Sequence, residues 1–352
     1  MNIQDRIDLV MKDTVEIVTK EELKTLFETK DEPRSYIGFE PSGLMHLGQL
    51  ICIQKMLELQ QAGVRVTVLL ADWHALINDK LGGKMENIEL GAKYLIDVFT
   101  AAGLDIDKLD LVYAGDLVDR RDYWATLLKV CKLSSLSRIR RAVDVMGRQE
   151  SELEVDFSKF IYPAMQVTDI FELEIDIAQG GMDQRKAHML ARDVSDRLHK
   201  PKVIGLHTPL LPSLTSSEKM DYTNKMSKSK PEQSILLHDA EFEVSPKIKK
   251  AFCPVGDVEN NPLLELCKLL IFPMKGSLQI KRKEQYGGNL DLQSYAELEE
   301  LFKAEKLHPG DLKPGVRDAV NEILEPYRSY FKAHPQNHKK LANLVKRLNK
   351  KR

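Results

Sequence analysis

Apolar residues along this chain keep two different rhythms, and their alternation sets out an order of elements. Short apolar runs at 36–39, 64–71, 109–114, 175–178 and 202–207 have the length of strands. The stretches 47–62, 85–102, 123–148 and 184–198 instead space their apolar residues along one face of a helix. Strands alternating with helices predict an α/β domain with a parallel sheet covered on both faces, whose ligands lie beyond the carboxyl ends of the strands. Residues 1–30 are charged, with partial amphipathic spacing at Leu9, Val10, Val15, Ile17 and Val18, and predict a helical lead-in. After Lys230 β-branched runs become few, and 261–270, 295–302 and 316–331 carry helical spacing. A separate, mostly helical domain is therefore expected from about residue 231.

Composition narrows this only in part. The 352 residues are enough for more than one core, and 52 basic against 53 acidic residues leave no whole-molecule attraction to polyanions. Any nucleic-acid binding must then use local patches. One is the end of the chain, where 334–352 holds Lys339, Lys340, Lys346, Arg347, Lys350, Lys351 and Arg352 with no acid; it reads equally as a solvated helical tail or as an RNA contact. Cys52, Cys131, Cys253 and Cys267 form no CxxC pair, which points to a reduced, cytoplasmic protein without a structural disulfide or permanently bound metal. No apolar run approaches the ~20 residues of a membrane helix, so no membrane partner is expected.

Two segments far apart carry phosphate chemistry. His46-Leu47-Gly48-Gln49 follows a β-type run and a Pro/Gly turn and opens a helical pattern. A helix start offers unpaired N–H groups and a positive dipole end, and a glycine admits a nucleotide close to the backbone. Lys225-Met226-Ser227-Lys228-Ser229 sets two ammonium groups on a short loop that can stabilise charge as a phosphoester breaks. Together they point to one nucleotide site, although a lone histidine at a helix start is often just a cap and a Lys/Ser loop is often just surface. Gly180-Gly181-Met182-Asp183-Gln184-Arg185-Lys186 follows a predicted strand, where a carboxylate can hold ribose hydroxyls and an amide an amino or carboxylate group. If 161–173 is a helix, Tyr162, Gln166, Asp169 and Leu173 share one face. That mixture of phenol, amide and carboxylate suits a ligand lining better than a core or a solvated face.

With these residues assembled, the chain resembles the class I aminoacyl-tRNA synthetases, and among them the archaeal type of tyrosyl-tRNA synthetase. The resemblance runs through residues 36–43, Tyr162-Pro163-Ala164-Met165-Gln166, Gly180 to Lys186, Lys225 to Ser229, Ala251-Phe252-Cys253-Pro254 and Leu307-His308-Pro309-Gly310-Asp311. It implies an α/β, Rossmann-like parallel-sheet catalytic domain at 35–230 with a dimer-interface insertion near 115–158. After a lead-in at 1–34, a mostly helical anticodon-binding domain at 231–331 and a basic tail at 332–352 that borrows nothing from the family complete the chain. L-tyrosine, ATP with Mg2+ and tRNA(Tyr) are the implied ligands, in a cytoplasmic homodimer.

By the same resemblance Tyr36 and Asp169 hold the phenol hydroxyl, and Tyr162, Gln166 and Gln184 the α-amino group. Leaving a buried carboxylate and phenol unpaired is the reason such a site rejects phenylalanine, and tyrosyl-tRNA synthetases are the standard instance of that effect. Asp183 is implied at the ribose, and His46, Gly48, Gln49, Lys225 and Lys228 at the phosphates. Gln49 departs from the family's second histidine; an amide still donates a hydrogen bond but carries no charge. Tyr286, His308 and Asp311 are implied at the anticodon, and Arg141 and Arg185 at the acceptor end, although each arginine is as readily a surface ion pair. A tryptophan-specific relative, another nucleotidyltransferase and a non-enzymatic RNA-binding relative remain open at this point.

Overall fold

The computed structural model describes residues 1–146, 156–216, 224–227 and 231–350. Six strands make the main sheet: β1 (Glu16–Val18), β2 (Arg34–Phe39), β3 (Arg65–Leu70), β4 (Leu109–Tyr113), β5 (Ile177–Gly181) and β6 (Ile204–Thr208), in the order β1-β6-β5-β2-β3-β4. From β4 across to β6 neighbouring strands run parallel, and β1 lies antiparallel on the outer edge of β6. The chain builds outward from β2 through β3 to β4, then returns to lay β5 and β6 on the other side of β2. The order of strands therefore reverses between β2 and β5, and the crevice beyond their carboxyl ends is where a sheet of this kind receives ligands.

β3 shows why the pattern was readable. In Arg65-Val66-Thr67-Val68-Leu69-Leu70 all but Arg65 are buried, the continuous apolar run of a strand covered on both faces. Helix Ser158–Glu172 supplies part of that cover, with Ala164, Val167, Ile170 and Phe171 in one core with Tyr36 and Ala178 of the sheet. The larger of these, Val167, Ile170 and Phe171, each stabilise the fold by roughly 1.5–3 kcal/mol on full burial.

The contacts divide the chain into two compact units. The first is 1–43, 55–209 and 336–352, and the second is 44–54 and 210–335. The first holds the main sheet and ends with helix Gln336–Asn349. The second is mostly helical but contains a hairpin, β7 (Leu278–Ile280) paired with β8 (Leu290–Leu292). Helix Pro309–Ala333 lies so close to this hairpin that a Cβ at Gly315 would sit 2.7 Å from the Gln279 carbonyl oxygen, which only glycine tolerates. Among the described residues no helix is long and apolar enough to cross a membrane.

Several elements differ from the periodicity. The expected helical lead-in contains β1, a three-residue strand whose partner lies near residue 206. The stretch 123–148 is interrupted: helix Arg121–Leu133 ends, and Ser135 caps a new helix, Leu136–Ala142, by accepting from Arg138 N–H at 3.2 Å. Helix Asp72–Ile77 follows β3 directly and was hidden in the end of an apolar run. The grouping 35–230 counted the His46 and Lys225 segments with the sheet, whereas their backbone pairing assigns both to the second unit.

Candidate active site

In the first unit the sequence-predicted polar face is real, and it is buried rather than solvated. Within helix Ser158–Glu172 every residue from Tyr162 to Phe171 is buried, and Asp169 has no exposure at all. A buried carboxylate is costly unless partnered. The Tyr123 hydroxyl donates to Asp169 Oδ1 at 2.9 Å, and His74 Nε2 lies 3.1 Å from Oδ2. The second contact is an ion-pair approach without full hydrogen-bond geometry, so Oδ2 keeps capacity for a further donor. Tyr36, on β2, belongs to the same electrostatic neighbourhood: burial and then the Asp169 charge push its pKa well above the ordinary phenol value. The ring lies along the strand because Gly38 leaves room for it, a Cβ there falling 3.2 Å from the Tyr36 oxygen.

His74 and Tyr123 were not found from sequence, and both follow from the same carboxylate. Burial pushes the Tyr123 pKa up first, and the charge and hydrogen bond of Asp169 push it further, so the phenol stays protonated as a donor. For His74, burial opposes the charged form, but Asp169, Glu40 and Asp72 outweigh it and raise the pKa above the ordinary imidazole value. A histidine at the carboxyl end of an apolar strand run was the available signal.

A second cluster surrounds Glu40, which follows β2. Tyr162 donates to Glu40 Oε1 at 2.8 Å, and Asn78 Nδ2 reaches Oε1 at 3.0 Å and Oε2 at 3.2 Å. Gln166 Nε2 donates to Gln184 Oε1 at 3.1 Å, and Gln184 Nε2 donates to the Val145 carbonyl at 3.1 Å. The Gln166 Oε1 atom is buried and receives no hydrogen bond. The structure thus gathers Tyr36, Tyr162, Gln166, Asp169 and Gln184, all five residues predicted for one small ligand. It offers that ligand a carboxylate oxygen at one place and an amide oxygen at another. A hydroxyl and an ammonium group are the chemical complements of those two acceptors. Asp183 lies half-buried beside Gln184 in the turn after β5. A Cβ at Gly180 would fall 2.8 Å from Gln184 Cβ, so glycine is what permits that turn to fold back.

In the second unit backbone pairing assembles the phosphate-type segments. His46 pairs with Leu236, Leu47 N–H donates to Ile235 O at 2.8 Å, and Leu237 N–H donates to Met45 O at 3.0 Å. Likewise Lys225 pairs with Pro212, and Met226 N–H donates to Leu211 O at 2.8 Å. Leu211 joins the two, because a Cβ at Gly48 would lie 3.3 Å from its Cβ and 3.2 Å from the His46 ring. Gln49 uses its carbonyl oxygen to accept the His46 N–H at 3.1 Å, closing the turn and leaving the amide NH2 as its outward donor group. His46, Gly48, Gln49 and Lys225 are thus neighbours in one unit. Lys228 lies outside the described residues.

The remaining predicted positions are more scattered. Arg141 is exposed on helix Leu136–Ala142. Arg185 makes a two-pronged pair with Glu16, Nε to Oε2 at 2.6 Å and Nη2 to Oε1 at 2.9 Å, which holds the Glu16 carboxyl below its ordinary value. Tyr286 is 58% exposed in the loop between β7 and β8. Arg282 ties that loop down, donating to Gly288 O at 2.6 Å and to Lys306 O at 3.0 Å. Lys306 shortly precedes His308, which caps helix Pro309–Ala333 by accepting from Gly310 N–H at 3.0 Å, and Asp311 lies in that helix's first turn. The structure therefore brings the Tyr286 loop to the segment bearing His308 and Asp311.

The family model for tRNA synthetases class I (W and Y) matches residues 28–325. The chain belongs to that family. Two archaeal relatives span nearly all of this synthetase. It is 49% identical to the tyrosine–tRNA ligase of Sulfolobus acidocaldarius over 96% of each chain. It is 47% identical to that of Saccharolobus solfataricus over 96% of this chain and 95% of the other. Among solved structures, tyrosyl-tRNA synthetase of Pyrococcus horikoshii complexed with L-tyrosine superposes with a TM-score of 0.92 at 38% identity, covering 97% of this chain and 100% of that one. Such spans leave too little uncovered for all of 332–352 to lie beyond these relatives, so part of the basic tail is shared with them.

Proposed function

We propose that the cluster around Asp169 holds the phenol hydroxyl of L-tyrosine, with Asp169 Oδ2 and the Tyr36 hydroxyl as its partners, and that Tyr162, Gln166 and Gln184 hold the α-ammonium group. This synthetase is an aminoacyl-tRNA ligase: it activates tyrosine with ATP to tyrosyl-adenylate and pyrophosphate, then transfers the tyrosyl group to the terminal ribose of tRNA. The observation that carries the assignment of substrate is the fully buried carboxylate, with one oxygen bonded to Tyr123 and the other facing His74 at 3.1 Å without hydrogen-bond geometry.

In the first step the tyrosine carboxylate attacks the α-phosphorus of ATP in line and pyrophosphate leaves. In the second a ribose hydroxyl of the tRNA attacks the activated carbonyl and AMP leaves. Neither step needs a protein nucleophile, so the protein contributes positioning and stabilisation of phosphate charge. We assign His46, Lys225 and Lys228 to the phosphates, Gly48 and the Gln49 amide to close backbone and hydrogen-bond approach, and Asp183 to the ribose. Magnesium accompanies the triphosphate, whose oxygens supply the hard ligands such a cation prefers. Tyr286, His308 and Asp311 read the anticodon, the exposed phenol by stacking and the carboxylate by accepting base N–H donors. Arg141 and Arg185 contact the acceptor end. The enzyme acts in the cytoplasm as a homodimer whose interface involves residues within 115–158.

The test is amino-acid-dependent ATP–pyrophosphate exchange with tyrosine, phenylalanine and tryptophan in turn, followed by charging of tRNA. Exchange with tyrosine alone is expected. Exchange with tryptophan at equal efficiency would keep the mechanism and overturn the assignment around Asp169.

A further inference from the structure

The last helix, Gln336–Asn349, has two faces of opposite character. Leu341 and Leu344 are buried, Asn337 Nδ2 donates to Asp97 Oδ2 at 3.0 Å, and the His338 ring lies 6.3 Å from that of Tyr94. This face is therefore used up within the first unit, against helix Met85–Ala101. On the other face Lys339, Lys340, Lys346, Arg347 and Lys350 are all exposed. At 3.6 residues per turn they occupy one sector of about 120° and extend about 16 Å along the axis. Residues 334–352 contain no aspartate or glutamate.

The protein's own structure does not account for this stripe. Some exposed lysines elsewhere face local acids, as in Lys24 with Glu28 and Lys108 with Asp105. Among the described residues none of the five basic side chains forms an ion pair. Like charges at Lys346 and Lys350, four residues apart, disfavour the helix by roughly 0.2–0.5 kcal/mol. The helix dipole favours cations in the last turn, which covers Lys346 and Arg347, but it opposes Lys339 and Lys340 near the start.

We propose that this face binds the phosphodiester backbone of tRNA, the polyanion this ligase meets in every turnover. A duplex presents about one phosphate charge per 1.7 Å of axis, so several fall along the stripe. An anionic membrane fits less well, because a helix that lies in a lipid surface needs an apolar face to bury there, and here the leucines are already covered. The contact is to backbone and so carries no sequence preference. It adds affinity for tRNA without touching tyrosine activation, and it rests on tRNA being the second substrate.

The test compares wild type with the triple variant Lys339→Gln, Lys346→Gln, Arg347→Gln. Tyrosine-dependent pyrophosphate exchange is expected to be unchanged. The slope of log affinity for tRNA against log salt should fall by about 0.7–0.9 for each charge removed, with KM for tRNA raised at low salt and converging on wild type at high salt. An unchanged slope and KM would overturn the proposal. Independently of any variant, bound tRNA should protect Lys339, Lys340 and Lys346 of the wild-type enzyme from acetylation, and equal labelling with and without tRNA would also overturn it. Co-sedimentation of wild type with phosphatidylglycerol vesicles, lost in the triple variant while tRNA binding is kept, would assign the face to membranes instead. Failure of exchange in the wild type would sink the ligase reading while leaving the RNA contact measurable.

Discussion

The two regions proposed for the reaction are built on opposite principles. Around Asp169 most of the polar groups are buried, with Glu40 and Gln184 half-buried, and they are held to one another: Tyr123, Asp169, His74, Tyr162, Glu40, Asn78, Gln166 and Gln184 meet by side-chain contacts. Around His46 and Lys225 the functional side chains are half-buried, and the backbone does the holding, through pairing with 235–237 and 211–213. The difference fits the tasks proposed for them. Choosing one hydroxyl among similar amino acids needs a dry, fully occupied site, in which a wrong ligand leaves a buried group unpaired. Stabilising a leaving phosphate needs charge and backbone at a fixed place, and a triphosphate brings its own solvent and cation.

Lys225→Ala is expected to slow pyrophosphate exchange by roughly 10²–10³-fold, with little change in the dissociation constant for tyrosine by equilibrium dialysis. Equal losses in both would mean that the second unit's loop also builds the amino-acid pocket. Tyr123→Phe removes the donor to Asp169 Oδ1 and frees the carboxylate to turn. An effect of about tenfold is expected for a hydrogen bond to a charged group, confined to KM for tyrosine and absent for phenylalanine. Gln49→His restores an imidazole where the family has one, and only a few-fold change in the exchange rate is expected, because the backbone bond from Gln49 N–H to His46 O still closes the turn when the side-chain carbonyl is lost. A large loss would show that the side-chain closure, rather than the donor, is what the amide contributes.

His74 gives the smallest effect, and it shows in the pH dependence of stability. Its pKa is raised in the folded protein, burial being outweighed by Asp169, Glu40 and Asp72. The stability it contributes is therefore whole below about 6.5, the ordinary imidazole value, and fades as pH rises through the higher folded-state value. The stability of wild type over His74→Gln, from urea unfolding at a series of pH values, is expected to shrink from about pH 6.5 upward. A gap that widens over that range would contradict the pairing of His74 with Asp169.

How much of this was legible follows from what each feature depends on. β3 announced itself because every position but the first is buried, and the helix bearing Tyr162, Gln166 and Asp169 because its polar residues recur at helical spacing. β1 did not, since three residues make a strand only through a partner near residue 206. The β7–β8 hairpin is equally short. The same division runs through the candidate site. Asp169 could be picked out as an anomaly on its own helix, but the roles of Tyr123 and His74 exist only through tertiary contact with it; nothing in its local sequence marks Tyr123, and His74 is marked only by its place after an apolar strand run. Arg282 is similar, an ordinary arginine in sequence that proves to fasten the Tyr286 loop beside His308.

The central claim is that selection resides in the buried cluster and charge stabilisation in the paired loops. The measurement that tests it most directly is the ratio of kcat/KM for tyrosine over phenylalanine in pyrophosphate exchange, compared between wild type and Asp169→Asn. The account predicts that the ratio falls by roughly 10²-fold, as expected when a hydrogen bond to a charged group is lost, with the rate for phenylalanine little changed. An unchanged ratio, with both substrates slowed alike, would contradict it.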